Sequence, residues 1–439
     1  MLDLLFWMLY LVTPIFSVFL LRFSGEKINE VGIISFVSLC LFVFSIVGTA
    51  PLFYYIDQYR YDIGVQDQFL ILKVLFYSCC NLVFFILGAV FLRRACGLKP
   101  VPFRSSDMAE LKGFQILILI FLFVLCVWVL FNYLSRIEKV ALFVAINEGP
   151  EAAMKVRSDM GNNFSGRYHW YELAMNNIAL FLTFVGFSSW VVKKTAFSFF
   201  VFLVLFIYSA FVSLMAVEKA PFAWMLVGLF MVYFLSKRDG RVKVSGAIFL
   251  VSLVVILVSI FYVLFMGTGS AGSALWSVFS RTFAGSISPA YFYLEFFPEQ
   301  TDYLFGATLP NPGGILPHVP YLFTIEVMNW VFPWHLEKGV VGTAPTVFWG
   351  EAYANFGEPG IPVVAFCMGL LLAAYSYLIS KLEVSPITIG FLVWFILTFK
   401  NLSVTGFGDY LYSVNVFVMF SVLFLLLFSG GRLKIRSSI

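Results

Sequence analysis

Residues 113–134 read GFQILILIFLFVLCVWVLFNYL, a stretch without a single charged side chain. About 20 apolar residues in a helix are long enough to cross the hydrocarbon core of a bilayer, which is about 30 Å thick. Lipid offers no hydrogen-bonding partner to the backbone, so such a stretch must satisfy its peptide groups internally as a helix. The segment therefore predicts a membrane-spanning helix.

Comparable stretches recur along the whole chain, which has 439 residues, 61% hydrophobic and 12% charged. We predict about eleven spans, near residues 2–22, 32–54, 69–92, 113–134, 173–192, 196–215, 221–236, 245–266, 360–380, 386–399 and 411–429. The short alternating segments of a transmembrane β-barrel do not occur. The first span lacks a basic leader and a small-residue cleavage site, and we interpret it as a retained helix. The sequence thus predicts an all-α polytopic membrane protein, with residues 1–439 in one transmembrane domain.

Basic residues are sorted between the two sides of the predicted bundle. They follow the third, fifth, seventh, ninth and eleventh spans: Arg93, Arg94, Lys99, Arg104, Lys112, Lys193, Lys194, Lys237, Arg238, Arg241, Lys243, Lys381, Arg432, Lys434 and Arg436. Loops that are rich in lysine and arginine stay in the cytoplasm. We therefore expect a cytoplasmic C-terminus, an N-terminus on the outer side, and two long outer loops at 135–172 and 267–359.

Several function classes find no support in the sequence. It contains no Walker A motif, no glycine-rich dinucleotide fingerprint and no HExxH helix, so we expect neither a nucleotide nor a metal cofactor. The six cysteines form no CxxC pair, which argues against a zinc site and against structural disulfides. The chain shows no internal repeat of the kind found in many transporters.

The first long loop contains positively charged residues that the positive-inside rule does not explain, because the loop is expected on the outer side. Residues 145–160, AINEGPEAAMKVRSDM, predict a short helix, and RYHWY follows at 167–171. The planar guanidinium groups of Arg157 and Arg167 suit phosphate oxygens, and His169 is a candidate base. The alternative interpretation is a solvated helix followed by a belt of aromatic residues at the membrane interface.

Two further cations stand at the boundary of the predicted membrane. Lys219 lies in the tight turn AVEKAPF, and Arg281 stands among apolar neighbours early in the second long loop. Lys219 either snorkels beside Glu218 or points into the bundle toward an anionic headgroup. Arg281 is expected to pair with an acid of its own loop, Glu295 or Glu299, or with an anionic ligand.

The rest of the second loop contains polar groups suited to proton transfer and sugar binding. The segment LPNPGGILPHVPY, 309–321, is too rich in proline and glycine for a long helix, and it holds His318, a candidate general base. In GTAPTVFWGEAYANFGEPG, 342–360, a helix would place Glu351 and Asn355 on one face, with Tyr353 to the side. These groups can accept and orient sugar hydroxyls. The structural alternative is a helix cap with an interfacial tyrosine.

A short outer loop, KNLSVTGFGDY at 400–410, joins the last two predicted spans. Lys400 and Asp409 flank it. A charge next to an apolar span is costly unless it has a partner or faces a polar cavity. We therefore expect these two side chains either to pair or to line the same cavity.

The segment 342–360 resembles the signature of oligosaccharide repeat unit polymerases, the Wzy-type O-antigen and exopolysaccharide polymerases. The span pattern and the arginine-bearing outer loops are similar as well, so the resemblance covers the whole chain in architecture and a few short motifs in residues. Members of this family often carry a Gly-x-Arg turn between two middle spans. Here the turn is VEKAP, and Lys219 replaces the arginine, which keeps the charge but loses the bidentate fork.

The resemblance implies a glycosyltransferase-C-like membrane fold with two long periplasmic loops, 135–172 and 267–359, in a bacterial inner membrane. It implies no metal or nucleotide cofactor and no nucleic acid partner. The substrates would be undecaprenyl-pyrophosphate-linked oligosaccharides dissolved among the membrane lipids. A chain-length regulator and a flippase would be its protein partners. The N-terminus would be periplasmic and the C-terminus cytoplasmic.

In the reaction that the resemblance implies, the growing chain moves from its lipid carrier to the nonreducing end of a new lipid-linked repeat. Cations would hold the pyrophosphate and offset the charge of the leaving group, and a base would accept the proton of the acceptor hydroxyl. The candidate cations are Arg157, Arg167, Lys219 and Arg281. The candidate bases are His318, which we rank first, Glu351 and His169, and the candidate sugar contacts are Tyr353 and Asn355.

Two other functions fit parts of the sequence. An O-antigen ligase uses the same donor but hands the chain to the lipid A core, and it would need similar cations. A lipid-linked oligosaccharide flippase or transporter predicts charged residues at mid-membrane, more spans and internal repeats. The GEAYANFG segment, 350–357, is the reason for ranking the polymerase first.

Overall fold

A computed structural model describes residues 1–161, 164, 166, 168–266, 271–311, 314–315, 317–334, 342–431 and 436. Within these residues the regular structure is helical, and no β-strand occurs apart from one isolated bridge between Glu30 and Arg241. Ten helices of the described chain are long and apolar enough to cross a membrane. The predicted all-α polytopic membrane fold is confirmed.

The helices are numbered here in chain order. The first half contains α1 (Leu2–Phe23), α2 (Ile33–Phe53), α3 (Gln58–Asp62), α4 (Gln68–Arg94), α5 (Gly113–Leu134), α6 (Ala141–Asn147), α7 (Pro150–Met160), α8 (Tyr168–Lys193) and α9 (Ala196–Leu214). The second half contains α10 (Lys219–Lys237), α11 (Val244–Met266), α12 (Ala271–Phe279), α13 (Gly285–Phe296), α14 (Phe323–Val331), α15 (Trp349–Ser380), α16 (Pro386–Ser403) and α17 (Gly408–Ser429). The ten candidate membrane spans are α1, α2, α4, α5, α8, α9, α10, α15, α16 and α17, and α11, which coincides with the eighth predicted span, is an apolar helix outside this set.

Each of the eleven predicted spans coincides with a helix. The ninth was expected at 360–380, and the helical run that contains it, α15, begins at Trp349. This run consists of two helices that meet at Gly357, whose φ of 68° is non-helical. Proline is tolerated in the first turn of a helix, so the second helix starts within GEPG, close to the predicted start of the span. The short first helix occupies the last residues of the second long loop, whose predicted end is at 359.

The long loops contain more helix than their sequences predicted. The expected helix at 145–160 is two helices, α6 and α7, which are separated at Gly149. The stretch after Arg281 is also helical, because α13 begins at Gly285 and runs through Pro289. A π-helical segment, Ser280–Ala284, joins α12 to α13 and makes the turn just before this proline wider than an α-helical turn.

The closest helix crossing in the core joins α4 to α15. A Cβ atom on Gly88 would collide with the carbonyl oxygen of Phe366, and one on Gly369 would collide with that of Phe85. Small residues allow two helix backbones to approach closely, which is a principal source of packing energy between helices in lipid. This pair makes the most extensive helix–helix contact of the described chain and forms a rigid spine.

The predicted basic loops lie together at one end of the bundle, called the basic end here. The backbone N–H and the hydroxyl of Ser105 donate to Asp239, at 2.7 and 2.9 Å, which joins the loop after α4 to the loop after α10. The N–H of Val101 donates to Ser380 Oγ at 2.9 Å, at the end of α15. The loops after the third, seventh and ninth predicted spans thus share one face.

The polar loops with the predicted site residues meet at the other end, called the site end here. Ser280 Oγ donates to Asp57 Oδ2 at 2.6 Å, and Arg157 Nη2 lies 2.9 Å from Glu218 Oε1. The backbone N–H of Phe348 donates to the carbonyl of Leu402 at 3.0 Å. The loops predicted on the outer side are therefore neighbours in space.

Candidate functional site

A cavity of about 1890 Å³ extends between the helices from one end of the bundle to the other. Glu30 and Gly32 line it at the basic end, and His169 and Lys219 line it at the site end. Apolar side chains of α2, α10 and α11 form much of the wall between them. The cavity can hold a long molecule that has an apolar body and a polar end.

Three π-helical segments contribute to the wall of this cavity. They are Phe42–Ile46 in α2, Leu173–Ile178 in α8, and Ser280–Ala284 before α13. Each supplies residues that line the cavity, among them Phe44, Asn176 and Thr282, one from each segment. π-Helical turns are rare and occur frequently at functional sites. Their common position makes the cavity the candidate functional region of the bundle.

One predicted cation, Lys219, lines the site end of the cavity, and two others, Arg157 and Arg281, lie outside its wall but close enough to act on Lys219. Lys219 begins α10 directly after a tight turn, its Nζ atom is buried, and its side chain lines the cavity. The positive charges of Arg281 and Arg157 both act on its ammonium group. Arg157 is 52% exposed and pairs with Glu218, which also lines the cavity. Arg167, the fourth predicted cation, lies outside the described residues.

His169 is the one predicted base whose side chain lines the cavity. It lies in the first turn of α8 and is exposed. Glu172, three residues later, lines the same wall, and the charges of His169 and Glu172 attract each other.

His318 is held by its own loop. One ring nitrogen, Nε2, lies 3.1 Å from the carbonyl oxygen of Leu309, and the backbone carbonyl of His318 accepts a hydrogen bond from Asn311 Nδ2 at 2.5 Å. The residue next to Leu309, Pro310, lines the cavity, whereas His318 does not. The structure thus places His318 behind the wall, where it closes the loop.

Glu351 and Asn355 lie on one face of α15, as predicted, and are almost fully buried. Glu351, 2% exposed, accepts hydrogen bonds from Thr308 Oγ1 at 2.6 Å and from the N–H of Gly408 at 2.8 Å. Asn355 Nδ2 donates to Thr308 Oγ1 at 2.7 Å, and its Oδ1 accepts from the N–H of Gly306 at 2.8 Å. These bonds join the loop at 304–309 to α15 and α17.

Tyr353 is also engaged inside the protein. Its hydroxyl donates to the carbonyl oxygen of Phe297 at 3.1 Å, and its ring packs edge-on against Tyr303. None of Glu351, Tyr353 and Asn355 lines the cavity. The segment that carries the resemblance therefore supports the wall of the cavity from behind, and its predicted contacts with sugar stay predictions.

Lys400, at the end of α16, is a polar residue of the cavity that we did not rank among the site residues. Its side chain and that of Asp409 line the cavity, which confirms the second of the two alternatives predicted for them. The ammonium group lies 4.1 Å from the centre of the Trp224 ring and donates to Asn401 Oδ1 at 2.5 Å. The signal in the sequence was a lone lysine directly after an apolar span.

A smaller cavity of about 310 Å³ adjoins the first, with Ser286 and Val404 in both walls. Arg60 lines it, and its Nη1 donates to Ser280 Oγ at 2.7 Å. Ser280 donates in turn to the buried Asp57, which pairs with Arg60 at 3.4 Å. This closed network fixes the start of the second long loop against α3.

No protein family, curated protein or solved structure matches the chain. The likeness to the polymerases therefore rests on the residues of segment 342–360 and on the span pattern. The cavity and the groups that line it are the basis on which a function can be argued.

Proposed function

We propose that the protein is a glycosyltransferase that polymerises undecaprenyl-pyrophosphate-linked oligosaccharide repeat units into O-antigen or a related polysaccharide. The observation that carries the proposal is the buried Lys219 at the site end of a long cavity with largely apolar walls, with Arg157 and Arg281 near enough for their charges to act on it. A polyprenyl diphosphate has the same order of parts, with a doubly charged group at the end of a long hydrocarbon chain. The cations would bind the diphosphate while the chain occupies the apolar part of the cavity.

The cations have a second task during the reaction. The acceptor hydroxyl oxygen attacks the anomeric carbon of the donor sugar, and the bond between that carbon and the diphosphate oxygen breaks. The electron pair leaves with the diphosphate, whose added charge Lys219 and the two arginines stabilise. Since this leaving group already activates the donor, the scheme needs no nucleotide and no metal ion.

His169 is the base that the geometry supports best. It lines the cavity beside Glu172 at the same end as the cations. The proton of the acceptor hydroxyl would pass to a ring nitrogen of His169, and the carboxylate of Glu172 would stabilise the resulting imidazolium. His318 and Glu351 stay predictions for this role, and both make hydrogen bonds within the protein.

The proposal includes an orientation in the bacterial inner membrane. The basic end would face the cytoplasm, because loops rich in lysine and arginine remain there. The site end, the N-terminus and the predicted loops at 135–172 and 267–359 would then be periplasmic. A glycosyltransferase-C-like fold, and partnership with a chain-length regulator and a flippase, belong to the same proposal.

Reconstitution tests this function directly. Purified protein in proteoliposomes receives undecaprenyl-pyrophosphate-linked repeat units, without nucleotide, metal ion or lipid A, and the products are separated on a gel. We expect a ladder of lengthening glycolipids. We expect Lys219→Met and Arg281→Ala to lower the rate by about tenfold or more, since each removes a charge-assisted contact with the leaving group.

Lys139→Met is the matched control for these variants. Lys139 pairs with Glu148 at 2.8 Å, both side chains are about half exposed, and Lys139, unlike Lys219, does not line the cavity. Its loss should leave the ladder unchanged. A single shifted band that needs the lipid A core would indicate a ligase instead, and the absence of any covalent product would favour a flippase or transporter.

A further inference from the structure

Lys400 carries a charge that the protein itself leaves largely uncompensated. The residue is 7% exposed, and its ammonium group has three N–H donors. One donor bonds to Asn401 Oδ1 at 2.5 Å, and the ring of Trp224 lies on another side at 4.1 Å. No carboxylate of the described residues lies within ion-pair distance of Lys400.

Such an arrangement is unfavourable without a further partner. A buried charge loses its hydration, and buried charges in proteins are normally paired or functional. One amide contact and one aromatic ring replace only part of the hydration shell of an ammonium ion. An anionic group can approach Lys400 from the cavity, because Lys400, Asn401 and Trp224 all line it.

The other titratable groups near this position do not balance the charge of Lys400. Cys40, on α2, lines the cavity, but a buried thiol is uncharged at neutral pH. Asp409 lines the cavity too, but it exerts no resolved electrostatic effect on Lys400. The surroundings therefore leave room for an anion beside Lys400 without an acid in the way.

The position of Trp224 relates Lys400 to the cations at the site end. Lys219 begins α10, and Trp224 follows five residues later, a rise of about 7.5 Å along the helix axis at 1.5 Å per residue. The ammonium group of Lys400 lies against the side chain of Trp224 in the second turn of α10, whereas Lys219 stands in the first turn. Positive charges therefore stand at two positions along one wall.

We propose that Lys400, supported by Trp224 and Asn401, binds the phosphate or diphosphate group of a polyprenyl lipid inside the cavity. Lys219, Arg157 and Arg281 would contact this group from the site end of the cavity. Lys400 would contact it from the position beside Trp224. The identity of the lipid rests on the proposed function, whereas the need for an anion rests on the contacts of Lys400 alone.

The experiment measures binding of undecaprenyl diphosphate to the full chain in detergent micelles, by native mass spectrometry, for the wild type and for Lys400→Met. Methionine keeps the apolar length of the side chain and removes the charge. We expect the dissociation constant to rise by about tenfold or more, which corresponds to about 1.4 kcal/mol or more. Undecaprenol, which has no phosphate, should bind both proteins equally.

Lys381→Met is the matched control, because Lys381 also lies over an aromatic ring, that of Tyr377 at 5.2 Å, but outside the cavity. It should bind undecaprenyl diphosphate as the wild type does. Competition by inorganic pyrophosphate and by phosphatidylglycerol vesicles identifies the source of the phosphate. Competition by pyrophosphate alone supports a diphosphate headgroup, and equal competition by vesicles points to ordinary phospholipid.

Two results would overturn the inference. One is a Lys400→Met protein that is folded, as shown by its thermal unfolding, and binds undecaprenyl diphosphate with unchanged affinity. The other is an equal loss of affinity for undecaprenol, which would mean that Lys400 only shapes the cavity. If binding depends on Lys400 but the wild type makes no polymer, the proposed function fails while the anion site stands.

Discussion

The carboxylate of Glu351 accepts a hydrogen bond from the backbone N–H of Gly408, with 2.8 Å between Oε2 and the nitrogen. This contact joins the first turn of α15 to the start of α17. A Cβ atom on Gly408 would lie 2.6 Å from Glu351 Oε1, so the carboxylate fills the space that a side chain would need. Glu351 is thus enclosed by the backbone and bonded on both oxygens, as expected of a structural anchor.

Glu351→Ala should therefore lower stability before it affects chemistry. The change leaves the Thr308 hydroxyl and the Gly408 N–H buried without an acceptor, at a cost of about 1–3 kcal/mol for each group. Thermal unfolding in detergent should show a clear decrease in Tm for Glu351→Ala. Glu351→Gln keeps one acceptor oxygen and should have an intermediate Tm. An Ala variant with the wild-type Tm and no polymerisation would instead assign Glu351 to catalysis.

The two histidines of the described chain should behave differently when replaced. His169→Gln removes the base that lines the cavity, and we expect kcat to fall by about 10²- to 10⁴-fold with little change in Tm. His318→Gln alters a loop contact outside the cavity and should keep most of the turnover. The reconstituted ladder, followed over time, measures both.

The reverse pattern would contradict this assignment. If His318→Gln abolishes turnover in a protein with unchanged Tm, while His169→Gln polymerises normally, the base is His318. The loop at 309–318 would then have to present its ring to the cavity during the reaction.

Gly369→Val should prevent stable assembly of the core. Its side chain would collide with the carbonyl of Phe85 at the crossing of α4 and α15, and backbone atoms there cannot move without separating the helices. Overpacking of a dense core costs about 1–3 kcal/mol, and here the obstacle is backbone. Size-exclusion chromatography and thermal unfolding measure the loss of folded protein.

Gly113→Val provides the comparison, because a Cβ atom on Gly113, at the start of α5, would meet nothing within 4 Å. The two variants add the same side chain to a long helix and differ only in what it meets. Equal stability of both proteins would show that the α4–α15 crossing tolerates separation.

The stability of the protein should depend on pH through the carboxyl group of Glu295. Burial raises the pKa of this carboxyl above its ordinary value of 4.5, and the negative charges of Asp67 and Glu299 act in the same direction, while a hydrogen bond with Tyr291 opposes them. A carboxyl whose pKa is higher in the folded than in the unfolded state stabilises the fold while it is protonated. This stabilisation is lost as the pH rises from 4.5 through the pKa of the folded state.

The measurement compares the Tm of the wild type and of Glu295→Gln from below pH 4.5 to neutral pH. The wild type should lose stability relative to the variant as the pH rises, because glutamine stays neutral throughout. A constant difference between the two proteins across this range would show that Glu295 is ordinarily solvated.

Hydrophobicity and length were enough to predict the membrane helices. The span at 113–134 has the same bounds in α5, because its sequence leaves no other way to satisfy the backbone in lipid. Two helices meet at Gly357, close to the predicted start of the ninth span at residue 360. The local sequence did not show that another helix ends directly before this glycine, because its glycines and prolines are equally typical of a loop.

The composition of the site was easier to predict than its arrangement. Lys219, Arg157 and Arg281 were predicted as site residues because the positive-inside rule does not account for cations in loops expected on the outer side. We ranked His318 above His169 from the sequence, but only the structure shows which of the two lines the cavity. That depends on how α8 packs against its neighbours. Lys400 drew attention only as a flanking charge, since its stacking on Trp224 joins two distant parts of the chain.

The close crossing of α4 and α15 also limits which substitutions this sequence can accept during evolution. On lipid-facing surfaces, leucine, valine and phenylalanine can replace one another at little cost, so similarity there fades quickly between related chains. Gly88 and Gly369 accept no side chain at all, because each faces a carbonyl oxygen of the other helix. Distant descendants of this protein would retain these two glycines long after the rest of their spans had become unrecognisable.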